Sequence, residues 1–153
     1  MFEKIINKLI EKNISISFAE SCTGGALAST ITKIPGVSKI FKGSFVTYSD
    51  EYKERFLNVS PSTIKTYGVV SKEVAFEMAE GLKKITGADI VISVTGNAGP
   101  TQGDINEPIG RIYLGFSIDD RLYTKELNLI GKRERIIEEI VRTVFNELES
   151  ILL

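Results

Sequence analysis

The sequence predicts one α/β domain whose sheet is mostly parallel and covered on both faces. Three observations predict it. Apolar residues at helical spacing alternate along the chain with strand-like stretches, a nearly continuous β-branched run fills residues 90–94, and two late strand-like stretches flank Asp119-Asp120 as a hairpin would. The hairpin puts at least one antiparallel strand into the sheet. With 153 residues, 42% of them hydrophobic and 25% charged, the chain can bury a core but leaves no room for a second one, so residues 1–153 read as a single domain.

Phe2, Ile5, Ile6, Leu9 and Ile10 recur at helical spacing, and Ile14, Ile16 and Phe18 then alternate as a strand does. Ala26, Leu27, Ala28 and Ile31 predict a closely packed helix over 24–33, ended by Pro35-Gly36. A short strand over 45–49 is followed by short helices over 51–57 and 61–67. Ser71 is the expected N-cap of a helix that carries Val74, Ala75, Met78, Ala79, Leu82 and Ile85 on one face and stops at Gly87. The run at 90–94 suits a strand buried on both faces, and the loop over 95–108 after it exceeds the length of about 12 residues beyond which loops are often functional. Strands over 109–118 and 122–129 form the hairpin. Ile136, Ile137, Ile140, Val141, Val144, Leu148 and Ile151 define a closing amphipathic helix.

Composition narrows the chemistry. Nineteen Lys and Arg against 20 Asp and Glu give a net charge of -1, so no basic excess is available to neutralise a nucleic-acid backbone. Zero His excludes Ser-His-Asp and Cys-His sites, and the single Cys22 excludes disulfides within the chain and Cys-rich zinc sites. Glu3, Lys4, Asn7 and Lys8 interrupt the first ten residues, so they lack the apolar core of a signal peptide, and no stretch approaches the roughly 20 apolar residues of a membrane span. A cytoplasmic protein without a metal or a membrane partner is expected, and one unpaired thiol suits a reducing compartment.

Three segments carry candidate chemistry. Ala19-Glu20-Ser21-Cys22-Thr23-Gly24-Gly25 joins a strand to a helix, where N–H groups and the positive helix end face outward and glycines admit an anion. It is not a P-loop, since no Lys follows the glycines. A capped helix start with Ser21 or Thr23 as the cap reads equally well, and Cys22 reads as an inert buried thiol or as one activated by the helix end.

In the second segment, Ser38, Tyr48 and Lys53 are candidates for a nucleophile, a relaying hydroxyl and a neutral-amine base, the usual substitute when His is absent. Lowering a Lys from about 10.4 to about 7.5 takes about 4 kcal/mol. A helix dipole supplies about 1, so burial must provide the rest, and an ordinary surface Lys is the alternative. The third segment, Thr95-Gly96-Asn97-Ala98-Gly99-Pro100, follows the buried strand and would share one cleft with the Ser21 loop, or be a tight Gly-rich turn without a ligand.

At these residues the chain resembles the CinA C-terminal-domain family of competence- and damage-inducible proteins, whose members include nicotinamide mononucleotide (NMN) deamidases. The likeness runs along nearly the whole chain. It rests on Ala19 to Gly25 (AESCTGG), Pro35-Gly36-Val37-Ser38 with Phe41 (PGxSxxF), Phe45-Val46-Thr47-Tyr48-Ser49 with Lys53, Gly68 with Val70-Ser71 and Val74-Ala75, and Thr95-Gly96 with Ala98-Gly99-Pro100 (TGxAGP), followed by Pro108 and Gly110. The resemblance implies a three-layer αβα sandwich with a mixed sheet. It also implies hydrolysis of the nicotinamide carboxamide with release of ammonia, in pyridine nucleotide salvage, by a stand-alone deamidase needing no cofactor. It carries a catalytic set onto Ser38, Tyr48 and Lys53, leaves the loops of Ser21, Thr23, Gly24 and Gly25 and of Thr95, Gly96, Ala98 and Gly99 to bind substrate, and implies a homodimer. Arg133, in Gly131-Lys132-Arg133, matches a family Gly-x-Arg and is a candidate phosphate partner or an exposed helix-start residue.

The chain departs from the family pattern at Asn97, at the thinned glycine stretch Thr101-Gln102-Gly103-Asp104, at Glu107 and at Tyr67. Glu107 would weaken phosphate binding if it faced the nucleotide. Two other functions compete: a non-catalytic nucleotide- or phosphate-binding regulatory module of the same fold, and an amidase in which Cys22 is the nucleophile assisted by Glu20 and Lys53.

Overall fold

The structure is a computed structural model and describes residues 2–152. Its elements, in chain order, are α1 (Glu3–Glu11), β1 (Ile16–Glu20), α2 (Ala26–Ile31), a 3-10 turn (Val37–Lys39), β2 (Phe41–Val46), α3 (Asp50–Leu57), α4 (Pro61–Tyr67), α5 (Lys72–Thr86), β3 (Ile90–Gly96), β4 (Arg111–Ile118), β5 (Arg121–Asn128) and α6 (Arg133–Leu152). The five strands lie in the order β2-β1-β3-β4-β5. β2, β1 and β3 are parallel, and β4 and β5 add the antiparallel hairpin.

Side-chain alternation splits the core into two layers. Ile16 and Phe18 of β1 with Ile90, Ile92 and Val94 of β3 meet α1, α2 and α6 on one face, while Ala19 and Val91 meet α5 on the other. β1 and β3 are buried on both faces, hence their nearly continuous apolar runs. The cap signals of α5 act as the sequence suggests: the Ser71 side chain accepts from the Val74 N–H, and Gly87, at φ 63°, closes the helix. Ile85, in the last turn of α5, is half exposed rather than part of the buried face.

Two boundaries differ from the sequence-based reading. β2 begins at Phe41, four residues before the predicted strand, and ends at Val46, because Ser49 is spent as the α3 N-cap, accepting from the Tyr52 N–H. As an edge strand it has no buried residue, Lys42 and Val46 are exposed, and it contains Gly43, so no two-residue alternation marks it. Gly24 and Gly25, predicted to open α2, instead turn the chain at φ 57° and 103° before the helix starts.

α3 crosses α5 where α5 carries Gly81, and a Cβ there would overlap the Leu57 carbonyl. An exposed helical Gly→Ala change stabilises by up to about 1 kcal/mol, but overpacking costs about 1–3. Gly81→Ala should therefore destabilise the fold, read as a lower urea midpoint with an unchanged slope.

The parallel connections place their helices on opposite faces: α2 follows β1 on one side, and α3, α4 and α5 follow β2 on the other. The carboxyl ends of β1, β2 and β3 thus open into a crevice, the usual place for a ligand in such a sheet.

Candidate active site

A cleft of about 530 Å³ lies at these carboxyl ends, walled by Ser21 and Cys22 after β1, Tyr48 after β2, Asp50 and Lys53 on α3, Val69 and Val70 before α5, the stretch 95–101 with Gly103, and Arg133 at the start of α6. Its size is that of a small-molecule site.

Lys53 is part of this wall and is only 1% exposed. Its Nζ donates to Ser21 Oγ at 2.8 Å and to the Thr47 carbonyl at 2.8 Å. Burial lowers its pKa from the usual 10.5 to about 8, against the upward pull of the Asp50 carboxylate. Burial is the larger contribution that the sequence argument required. The amine is therefore substantially neutral in mildly alkaline water while holding a hydroxyl at hydrogen-bond distance.

The neighbouring thiol is the reverse case. Burial pushes Cys22 up to about 12, overriding the opposing pull of the Lys53 and Arg133 charges. Glu20 is not free to assist it: Oε1 accepts from Thr23 Oγ1 (2.8 Å) and the Leu27 N–H (2.9 Å), and Oε2 accepts from the Ala28 N–H (3.1 Å) and Ser44 Oγ (2.6 Å). A protonated thiol beside a fully engaged carboxylate is a poor nucleophile.

The same network alters the role expected of the first Gly-rich loop. The N-terminal amides of α2 are taken by the chain's own carboxylate, the place in which the sequence suggested a ligand anion. Thr23 is held in this network, and Gly24 and Gly25 lie outside the cleft wall. Ser21 faces the cleft.

The expected trio of Ser38, Tyr48 and Lys53 is not brought together. Ser38 is exposed on the 3-10 turn before β2, whereas Ser21 and Tyr48 follow the ends of β1 and β2. Because these strands are parallel, Ser38 lies at the amino edge of the sheet, and the six residues of β2 carry the chain roughly 20 Å from there to the cleft. Tyr48 borders the cleft but is 60% exposed, and its hydroxyl accepts from Arg133 Nη2 at 2.7 Å rather than touching Lys53. Arg133 Nη1 donates to the Gly99 carbonyl at 2.7 Å, tying α6 to the third loop.

That loop is more firmly built than its glycines suggest. Asn97 Nδ2 donates to the carbonyls of Asp104 (2.8 Å) and Glu107 (3.0 Å), while its Oδ1 accepts from the Asp104 N–H (3.1 Å). Asp104 Oδ2 in turn accepts from the Val70 N–H at 3.2 Å, and Thr95 Oγ1 donates to the Val69 carbonyl at 2.8 Å. Asn97 and the shortened glycine stretch thus form one clamp. An Asn and an Asp in a Gly-rich loop were the available signal. Glu107 pairs with Arg111 at 2.9 Å and is not part of the cleft wall, so it does not oppose a phosphate there. Among the described residues no group of three His, Cys, Asp or Glu side chains could hold a metal, and no helix is long and apolar enough to cross a membrane.

Residues 1–152 match the model of the CinA C-terminal domain. The chain belongs to the CinA C-terminal domain family. It is 51% identical over 135 residues to a protein of Alkaliphilus oremlandii described as a competence-damage inducible protein, covering 88% of this chain and 33% of that one. It is 47% identical over 134 residues to a CinA-like protein of Dictyoglomus turgidum, again 88% of this chain and 33% of the relative. The chain spans about a third of the length of the curated relatives it matches. The crystal structure of a competence or damage-inducible protein from Enterobacter asburiae superposes with a TM-score of 0.95 at 30% identity, covering 99% of this chain and 96% of that one. The CinA fold is therefore shared over nearly the whole of both chains.

Proposed function

We propose that this CinA-family chain is a serine-type amidohydrolase that converts NMN and water to nicotinic acid mononucleotide and ammonia, with Ser21 as nucleophile and Lys53 as base. One observation carries the reading. A buried amine whose pKa is about 8 sits 2.8 Å from a serine hydroxyl at the wall of a ligand-sized cleft.

The neutral Lys53 Nζ accepts the Ser21 proton as Oγ bonds to the carboxamide carbon, and the carbonyl oxygen takes up negative charge. The N–H groups of Cys22, Ala98 and Gly99 are the donors proposed for that oxyanion, since the Asn97 N–H is spent on the Arg111 carbonyl. Collapse of the intermediate breaks the C–N bond, and the nitrogen leaves as ammonia with the proton returned by the Lys53 ammonium. Water then attacks the Ser21 ester, again giving its proton to Lys53, and hydrolysis restores the serine.

With the α2 amides occupied by Glu20, the phosphate falls to Arg133 and the adjoining loop. A charge-assisted hydrogen bond is worth about 1.5–3 kcal/mol, so nicotinamide riboside should be roughly 10- to 150-fold poorer than NMN in kcat/KM. Arg133→Ala should erase most of that difference. Ammonia release from both compounds by EDTA-treated protein tests the reading: turnover of NMN supports it, whereas nucleotide binding without ammonia would instead support a regulatory module.

A further inference from the structure

Asp50 is the single carboxylate in the cleft wall, and no bond-making or proton-transfer step above uses it. It is the first residue of α3 and lies three positions before Lys53, so both occupy one side of the same first turn. Lys53 nevertheless bonds to Ser21 and Thr47 rather than to Asp50. Among the described residues Asp50 accepts no hydrogen bond and lies within 4.0 Å of no cationic group, so its charge at the cleft is not offset by a direct partner.

The substrate class supplies a complementary charge. In NMN the ring that bears the carboxamide is a pyridinium cation. With its carbonyl at Ser21 Oγ, which Lys53 Nζ contacts at 2.8 Å, the ring would lie in the cleft that Asp50 and Lys53 both line. When Lys53 is neutral, as attack requires, Asp50 is the one charged residue of that turn on the cleft wall, since Glu51 in the same turn is not part of it.

We propose that Asp50 is a specificity-determining residue that favours the oxidised, cationic pyridinium ring over its neutral dihydropyridine counterpart. The inference rests on the amidase reading above. An Asp in the first turn of a helix also complements the helix dipole, and that role would be indifferent to the charge of the ring.

Binding of NMN and of reduced NMN to the Ser21→Ala protein, which holds the amide without cleaving it, separates these roles. Asp50 is exposed at the cleft wall, so its attraction is screened and a loss of about fivefold is expected. Adding Asp50→Asn should weaken NMN by that factor while leaving reduced NMN within twofold, and Asp50→Glu should restore most of the preference. Equal weakening of both ligands, or no change in their ratio, overturns the proposal. If the unsubstituted protein releases ammonia from NMN and the ratio does not move, the specificity inference alone fails. If neither ligand binds and no ammonia appears, the amidase reading fails and the inference falls with it.

Discussion

Ser21→Ala should lower NMN turnover by about 10⁴-fold or more, whereas Ser38→Ala should leave it within twofold of the unsubstituted protein. Ser21 Oγ is the atom that Lys53 contacts, and removing it deletes both the group that forms the ester and the acceptor of one Lys53 hydrogen bond. Ser38 sits at the other edge of the sheet on an exposed turn, where its hydroxyl reaches neither the amine nor the cleft. The pair of substitutions distinguishes Ser21 from Ser38, the serine that the sequence put forward as nucleophile. Ser38→Ala should unfold close to the parent's temperature, whereas Ser21→Ala should remain folded but unfold a few degrees lower, because it removes one acceptor of the buried Lys53 amine.

Lys53→Met should be nearly as severe. Deleting a general base costs about 10²- to 10⁴-fold, and Met keeps the length and fills the buried space that an Ala would leave empty. Lys53→Arg should be as damaging, because a guanidinium remains protonated at any working pH. The pH profile carries the sign. Lys53 acts as a base only when neutral, and its pKa is lowered to about 8. kcat/KM should therefore fall about tenfold for each pH unit below that value and level off above it. In Lys53→Met the residual activity should lose this limb. Asp50 raises the amine's pKa, so Asp50→Asn should move the limb toward lower pH. A folded Lys53→Arg protein with the parent's turnover would remove Lys53 as the base.

The main elements and the general position of the cleft were legible because each had a local cause. The stripe from Val74 to Leu82 between Ser71 and Gly87, and the run from Ile90 to Val94 before a Gly-Pro loop, mark a helix and a buried strand without reference to the rest of the fold. The identity of the nucleophile had no such local cause. It depends on where β2 starts, and an edge strand holding Lys42 and Gly43 carries little periodicity. Starting that strand at Phe41 rather than Phe45 moves Ser38 to the far edge and leaves Ser21 opposite Lys53.

Glu20 shows the same limit. A strand-to-helix loop with glycines reads as an anion site, and only the packed structure reveals that the anion is a side chain of the loop itself. Asp50 reads locally as an ordinary first-turn acid. Its position on the cleft wall follows from the tertiary placement of α3 against the β1 loop, which no spacing along the chain records.

The identity of the acylated residue tests the Ser21–Lys53 assignment most directly. Protein mixed with NMN, quenched in acid during turnover, digested and weighed by mass spectrometry should carry the nicotinate mononucleotide acyl group on the peptide containing Ser21 and on no other, with the adduct absent from Ser21→Ala. An adduct on the peptide containing Ser38 or on Cys22, or undiminished ammonia release by Ser21→Ala, would contradict it.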